Sequence, residues 1–297
     1  MNVIEIFQNF QTQEQAIDYF EGVRWGGKTI CPYCGSEKVC RHASGDRASM
    51  RWQCEACHRA FSVTVGTIFH GTHIPLKQWF LLLALMLNAK KSASAYQLAR
   101  DLGMRRPTVW SMMHRIRAAM EKDPLQGKLL FGIIEADETY IGGKPRKRNR
   151  KDDDKPNKRG RGTKKTAVVG IMERGGKVIA KPFAKRNLCH EGLKKFISRF
   201  VDMDGSVLMT DEYKGYNGMS RLMLHASVNH QERYADGIIH TNSIEGFWSL
   251  VKRAWYGQHH HYSVKYMSLY ISEACYKFNQ RKTPVTLDGA LALMARP

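Results

Sequence analysis

The stretch Phe131-Gly132-Ile133-Ile134-Glu135-Ala136-Asp137 sets a short apolar run against an acid at its end. Runs of this length, bounded by glycine and charge, read as buried strands, and this one is predicted to emerge from a sheet at Asp137. A second run, Val207-Leu208-Met209-Thr210, also ends on an acid, Asp211. Ligand sites of open α/β sheets form at strand ends, so the two acids are expected to face one site. Two more runs, TAVVGIM at 166–172 and KVIAKPF at 177–183, are mixed with helical patterns such as LKKFISRF at 193–200. From about Leu129 onward the alternation predicts an α/β domain.

A third acid, Glu245, lies in the segment from Asn242 to Lys252, where Ile244, Phe247, Leu250 and Val251 have helical spacing. Lys252 is seven residues on, two turns along the same helix face. Three carboxylates gather at a cost, since like charges about 4 Å apart repel by roughly 4 kcal/mol at an effective dielectric of about 20. Two divalent ions remove that cost. Hard oxygen ligands suit Mg2+ or Mn2+, and a pair of such ions can activate an attacking oxygen and stabilise a leaving one at a phosphodiester. Glu135, Glu138, Glu212 and Asn242 are nearby rivals for these roles. Strand alternation points Glu135 to the face of Asp137 and Glu138 to the other, which makes Glu135 the stronger rival.

Upstream, Cys31–Cys34 (CPYC) and Cys54–Cys57 (CEAC) give C-x2-C-x19-C-x2-C. That spacing lets two knuckles supply four thiolates to one tetrahedral structural zinc, with Gly35 free to take the positive φ of the first knuckle. Trp52, Phe61, Val63 and Val65 are expected to alternate along strands, while Cys40, His42 and His58 are alternative ligands. Cys189 and Cys275 read as core residues of helices. From Pro75 to Met120 the apolar spacing predicts three helices, with breaks at Lys90 to Ser94 and at Leu102 to Met104. The last two form a helix-turn-helix pattern. Val109, Met112, Met113, Ile116 and Met120 should pack inward, leaving Arg106, Thr108, Ser111 and Arg115 available to a major groove.

The 297 residues carry 47 Lys and Arg against 27 Asp and Glu, a formal net charge of +20, so a polyanion is the expected partner. Between Lys144 and Lys165 stand twelve Lys or Arg and three Asp, a block expected to be a mobile DNA-contacting loop, with Lys144, Arg146, Lys147 and Arg148 at its head. The longest apolar stretch, Gln78 to Ala89, is too short to span a membrane. The first residues, MNVIEIFQNF, lack the features of a secretory signal, so a cytoplasmic protein with reduced cysteines is expected.

CPYCG with WQCEACHRAFSVTVGTIF, then IIEADETYIGGK, LMTDEYKGY and HTNSIEGFWSLVKRAWYGQHHHYSVKYMSLYISEACYKFNQRK, together resemble the bacterial insertion-sequence transposases of the DDE superfamily, in the group with an N-terminal zinc ribbon. The likeness covers nearly the whole chain. It implies a ribonuclease H-like fold, Mg2+-dependent strand cleavage and transfer, terminal inverted repeats and target DNA as partners, and a homo-oligomer as the active complex. It places the catalytic acids at Asp137, Asp211 and Glu245, followed by Lys252, with Asn242 as an alternative third ligand because some members carry Asn near that position. The expected organisation is a zinc ribbon with its lead over 1–70, a helix-turn-helix over 71–125 and a catalytic domain over 126–297. A DNA-binding repressor or a remnant without strand-transfer activity is the rival reading, and a nuclease of the same fold is a third.

Overall fold

The computed structural model of the chain describes residues 2–42, 51–123, 129–142, 163, 165–228, 240–283 and 285–296. The chain divides into two compact units, Met1–Met120 with Lys282–Pro297, and Glu121–Arg281.

The first unit opens with α1 (Val3–Asn9) and α2 (Gln13–Trp25). A reciprocal capping box between Thr12 and Gln15 starts α2, and Gly26, at φ 58°, ends it. The ribbon follows as three short antiparallel strands, β1 (Val39–Arg41), β2 (Trp52–Cys54) and β3 (Ala60–Phe61). It is anchored to α2 by Glu21, whose carboxylate accepts from both Arg41 Nη atoms, at 3.2 and 2.8 Å, and from Trp52 Nε1 at 2.7 Å. Val63 and Val65 do not extend the ribbon as strand residues: β3 stops at Phe61, and turns closed by Val65 N–H to the Ser62 carbonyl and Thr67 N–H to that of Thr64 take over.

Helices α3 (Leu76–Asn88), α4 (Ala95–Asp101) and α5 (Arg106–Glu121) fill the predicted helical segment. Ser94 caps α4 through the Gln97 N–H, and Gly103, at φ 63°, makes the turn to α5. Val109, Met112, Met113, Ile116 and Met120 are all buried, as helical periodicity requires.

The second unit is built on a five-stranded sheet of β4 (Ile133–Ile141), β5 (Thr166–Glu173), β6 (Val178–Phe183), β7 (Val207–Asp211) and β8 (Leu224–Val228). The order is β6-β5-β4-β7-β8. Strand β5 is antiparallel to both β4 and β6, whereas β7 is parallel to β4 and β8 to β7. These are the order and directions of a ribonuclease H-like domain. Helix α6 (His190–Phe200) covers one face, where Leu193, Phe196 and Ile197 meet Ile134, Ala136 and Leu208. Helices α7 (Asn242–Ala254) and α8 (Met267–Asn279) cover the other, where Phe247, Val251, Ile271 and Cys275 meet Val168, Met172 and Val178. Cys275 is buried as expected, but Cys189 is exposed at the N-cap of α6, outside the helical repeat that packs.

The last helix, α9 (Leu287–Met294), belongs to the first unit, where Ile68 N–H donates to the Met294 carbonyl. Chain order gives no hint of that placement. Among the described residues, no helix is long and apolar enough to cross a membrane.

Candidate active site

Asp137 does not end its strand. Thr139 and Ile141, both 3% exposed, keep β4 in register with β5 as far as Ile141↔Thr166, so Asp137 sits at mid-strand. On the other side, the pairing of β4 with β7 stops at Ala136↔Thr210. Asp211 is the last residue of β7, as predicted, and its Oδ1 accepts from the Tyr213 N–H at 3.0 Å. The acids therefore lie where β4 loses its parallel neighbour, between a strand that continues and one that has ended.

Carboxylate oxygens of Asp137, Glu138 and Asp211 all lie within 4.8 Å of one another. Alternation assigns Glu138 to the α6 face, but β7 has ended at this level, and the sheet no longer separates the two faces there. Tyr216, buried beneath, reports the same crowding: burial and the charges of Glu138, Asp137 and Asp211 push its phenol well above the usual range. Glu245, exposed in the first turn of α7, is outside that tight group, and its Oε1 accepts from the Thr241 hydroxyl at 3.1 Å. It is still close enough to act on Asp137. Burial, then the charges of Asp211 and Glu245, raise the Asp137 carboxyl to about 7.

Two donors orient Asp137, the Glu138 N–H to Oδ1 at 2.7 Å and the Trp248 indole N–H to Oδ2 at 3.0 Å. Gly170, directly across the ladder from Asp137, makes room for that indole. A Cβ at Gly170 would lie 2.7 Å from Trp248 Cζ2 and 3.1 Å from Ile244 Cδ1. Gly170→Ala is expected to destabilise the unit by about 1–3 kcal/mol, read by urea unfolding, because the ring is packed in the core and has nowhere to move.

Glu135, the rival favoured by alternation, is fully buried and already engaged by Arg174, Ser243 and Ile244. Glu212 and Asn242 are exposed, and so is Lys252 in the last turn of α7.

The pH dependence of the metal-free protein follows from Asp137. Its folded value of about 7 lies above the ordinary 3.8, so its contribution to stability is complete below about 3.8 and is lost as pH rises through about 7. A divalent ion held by Asp137 would compete with that proton. Mn2+ should therefore raise the unfolding temperature more at pH 8 than at pH 5, and an equal rise at both, or one unchanged in Asp137→Asn, would contradict this. The crowded, hydrogen-bond-oriented carboxylates are a donor set that fits a hard divalent cation.

In the ribbon, Sγ atoms of Cys31, Cys34, Cys54 and Cys57 lie within 4.8 Å of one another, with Cys31 to Cys57 at 3.7 Å and Cys34 to Cys54 at 3.6 Å. Gly35 takes φ 75° in the first knuckle, and His58 takes φ 54° after the second. Backbone N–H groups of Cys57 and Ala56 lower the Cys54 thiol, while burial and the neighbouring thiols raise that of Cys34. Cys40, His42 and His58 are outside this group.

On α5, Arg106, Ser111 and Arg115 are exposed and Thr108 is half-buried. Arg106 Nη1 donates to the Tyr96 hydroxyl at 3.0 Å, and Arg115 Nη2 to the His70 carbonyl at 2.9 Å. Lys144, Arg146, Lys147 and Arg148, with most of the basic block, lie outside the described residues.

Residues 129–279 match the ISXO2-like transposase domain family, and residues 11–60 match the transposase zinc-ribbon domain. A relative is an uncharacterized protein in transposable element ISH50 of Halobacterium salinarum, 26% identical over 276 residues that cover 89% of this chain and 90% of the relative. Among solved structures, the mariner Mos1 paired-end complex with Mg is similar at 14% identity and a TM-score of 0.29, over 72% of this chain and 78% of that one. A pre-cleavage Mos1 transpososome is similar at 13% identity and a TM-score of 0.29, over the same shares.

Proposed function

The chain belongs to the ISXO2-like transposase family, and on that premise we propose that it cuts and joins DNA strands at the terminal inverted repeats of an insertion sequence. The observation that supports this reading is the convergence of the Asp137 and Asp211 carboxylates in the matched residues, with Glu245 near enough that its charge adds to burial and to the charge of Asp211 in raising the Asp137 carboxyl. These three would hold divalent ions, Mg2+ or Mn2+, which when bound activate the attacking oxygen and stabilise the leaving one. The protein's own part is to keep Asp137 fixed from both sides, through the Glu138 N–H and the Trp248 indole, and to hold Glu245 through Thr241. Lys252 would meet DNA phosphate near the site. The four ribbon cysteines would hold a structural zinc, and α5 and the basic block would bind DNA, the first by base edges and the second by phosphates.

The test is a labelled repeat-end duplex incubated with the protein, with gel shift in parallel. Mg2+ or Mn2+ should give nicked and joined products, and Ca2+ should support binding alone. Arg106→Ala should reduce preference for the repeat, while neutralising residues between Lys144 and Lys165 should weaken binding to any DNA and flatten its salt dependence by about one unit of slope per lost phosphate contact. Binding without metal-dependent cleavage would favour a repressor.

A further inference from the structure

Glu135 is fully buried, two residues before Asp137 on the same face of β4. Its Oε2 accepts from the backbone N–H groups of Ser243 at 2.8 Å and Ile244 at 3.0 Å, and its Oε1 from the Ser243 hydroxyl at 3.0 Å and Arg174 Nε at 2.8 Å. Arg174 in turn donates through Nη2 to the His240 carbonyl at 3.0 Å, just ahead of α7. Ser243 and Ile244 are in the first turn of α7, whose N–H groups have no partner within the helix. Thr241, the residue in the N-cap position, makes no side-chain capping bond, and its hydroxyl donates to Glu245 instead. Glu135 therefore does from the sheet what an N-cap side chain does from within the helix, and its negative charge suits the positive helix terminus.

We propose that Glu135 is a positioning residue: it fixes the start of α7 on β4, and so sets Glu245 and Trp248 against Asp137. A buried ion pair serving only stability would need Arg174 alone. Here, among the described residues, three of the four hydrogen bonds to the carboxylate come from the helix that carries the third acid, with His240 Nδ1 a further 3.5 Å from Oε1, and that helix also sends the Trp248 indole to Asp137. The inference rests on the reading that Asp137, Asp211 and Glu245 hold divalent ions.

The experiment is Mn2+ binding to the full-length protein, measured from the paramagnetic signal of free Mn2+, with thermal unfolding run on each variant. The double variant Glu135→Leu with Arg174→Met removes the buried acceptor and its guanidinium partner together; His240, whose Nδ1 lies 3.5 Å from Glu135 Oε1, is kept. Glu135→Asp keeps the charge for Arg174 but shortens the reach to Ser243 and Ile244. Each should bind Mn2+ about 10-fold or more weakly, in the range found when groups that orient metal ligands are removed. Thermal unfolding establishes that each variant is folded at the temperature of the Mn2+ measurement, so the weaker binding is read on folded protein, which a merely structural role would leave at wild-type affinity. Wild-type Mn2+ affinity in either folded variant would overturn the positioning role and leave the metal reading intact. Failure of the wild-type protein to bind Mn2+ in an Asp137-dependent way would overturn the metal reading, and this inference with it.

Discussion

Replacing Asp137, Asp211 or Glu245 with alanine is expected to lower end cleavage and strand joining by about 10^3-fold or more, while gel-shift binding of the element ends persists. The three should fail alike. Asp137 is crowded by the other two charges, so the group acts as a unit, and removing one member changes what the remaining oxygens can hold. Asp137→Ala also leaves the Trp248 indole N–H without its acceptor in the core, so its unfolding temperature should be recorded beside its activity. Lys252→Ala should impair joining less completely, since an exposed cation at the last turn of α7 would supply phosphate contact and not a metal ligand. The third ligand has two rivals to exclude. Glu138 shares the tight carboxylate group, and Asn242 opens α7. Full activity in Glu245→Ala, with loss in Glu138→Ala or Asn242→Ala, would transfer the role.

Chelating zinc, or changing Cys54 to Ser, is expected to unfold the ribbon. A structural zinc contributes on the order of 10–16 kcal/mol in small modules at neutral pH. Among the described residues the ribbon otherwise has strands of three, three and two residues, the Glu21 anchor, and a small cluster in which Trp25 meets Trp52 and Phe61 edge to face. Cys54 is the most telling position, being fully buried and already favoured as thiolate by the backbone around it. Metal analysis should find about one zinc per wild-type chain and a deficit in Cys54→Ser. Loss of the ribbon should also release the Trp52 indole from Glu21, which a change in tryptophan emission would follow. A folded, zinc-free preparation, or stoichiometric zinc in Cys54→Ser, would remove the ribbon from this account.

The features legible in the sequence are those set by local spacing. Two CxxC pairs bring four sulfurs together because each knuckle needs only a tight turn, and the inward face of α5 follows from a helical repeat. The four β-like runs become strands because their apolar residues have two helical layers to meet. What stayed hidden depends on partners far along the chain. Alternation correctly sends Glu135 toward the face of Asp137, but its partners, Arg174 and Ser243, are 39 and 108 residues away, and they make it an anchor for α7 and not a rival ligand. Glu138 joins Asp137 and Asp211 because β7 stops where β4 continues, a difference in strand length that neither strand reveals alone. Gly170 carried a faint signal, a glycine inside an apolar strand, which marks close approach of another group. That group, Trp248, is named only by the fold.

The most direct measurement is anomalous diffraction from crystals soaked in Mn2+. Anomalous density is expected in contact with carboxylate oxygens of Asp137, Asp211 and Glu245, and is expected to be absent from crystals of Asp137→Ala. Density held by Asp137, Glu138 and Asp211 without Glu245, or no density at these acids, would contradict this expectation.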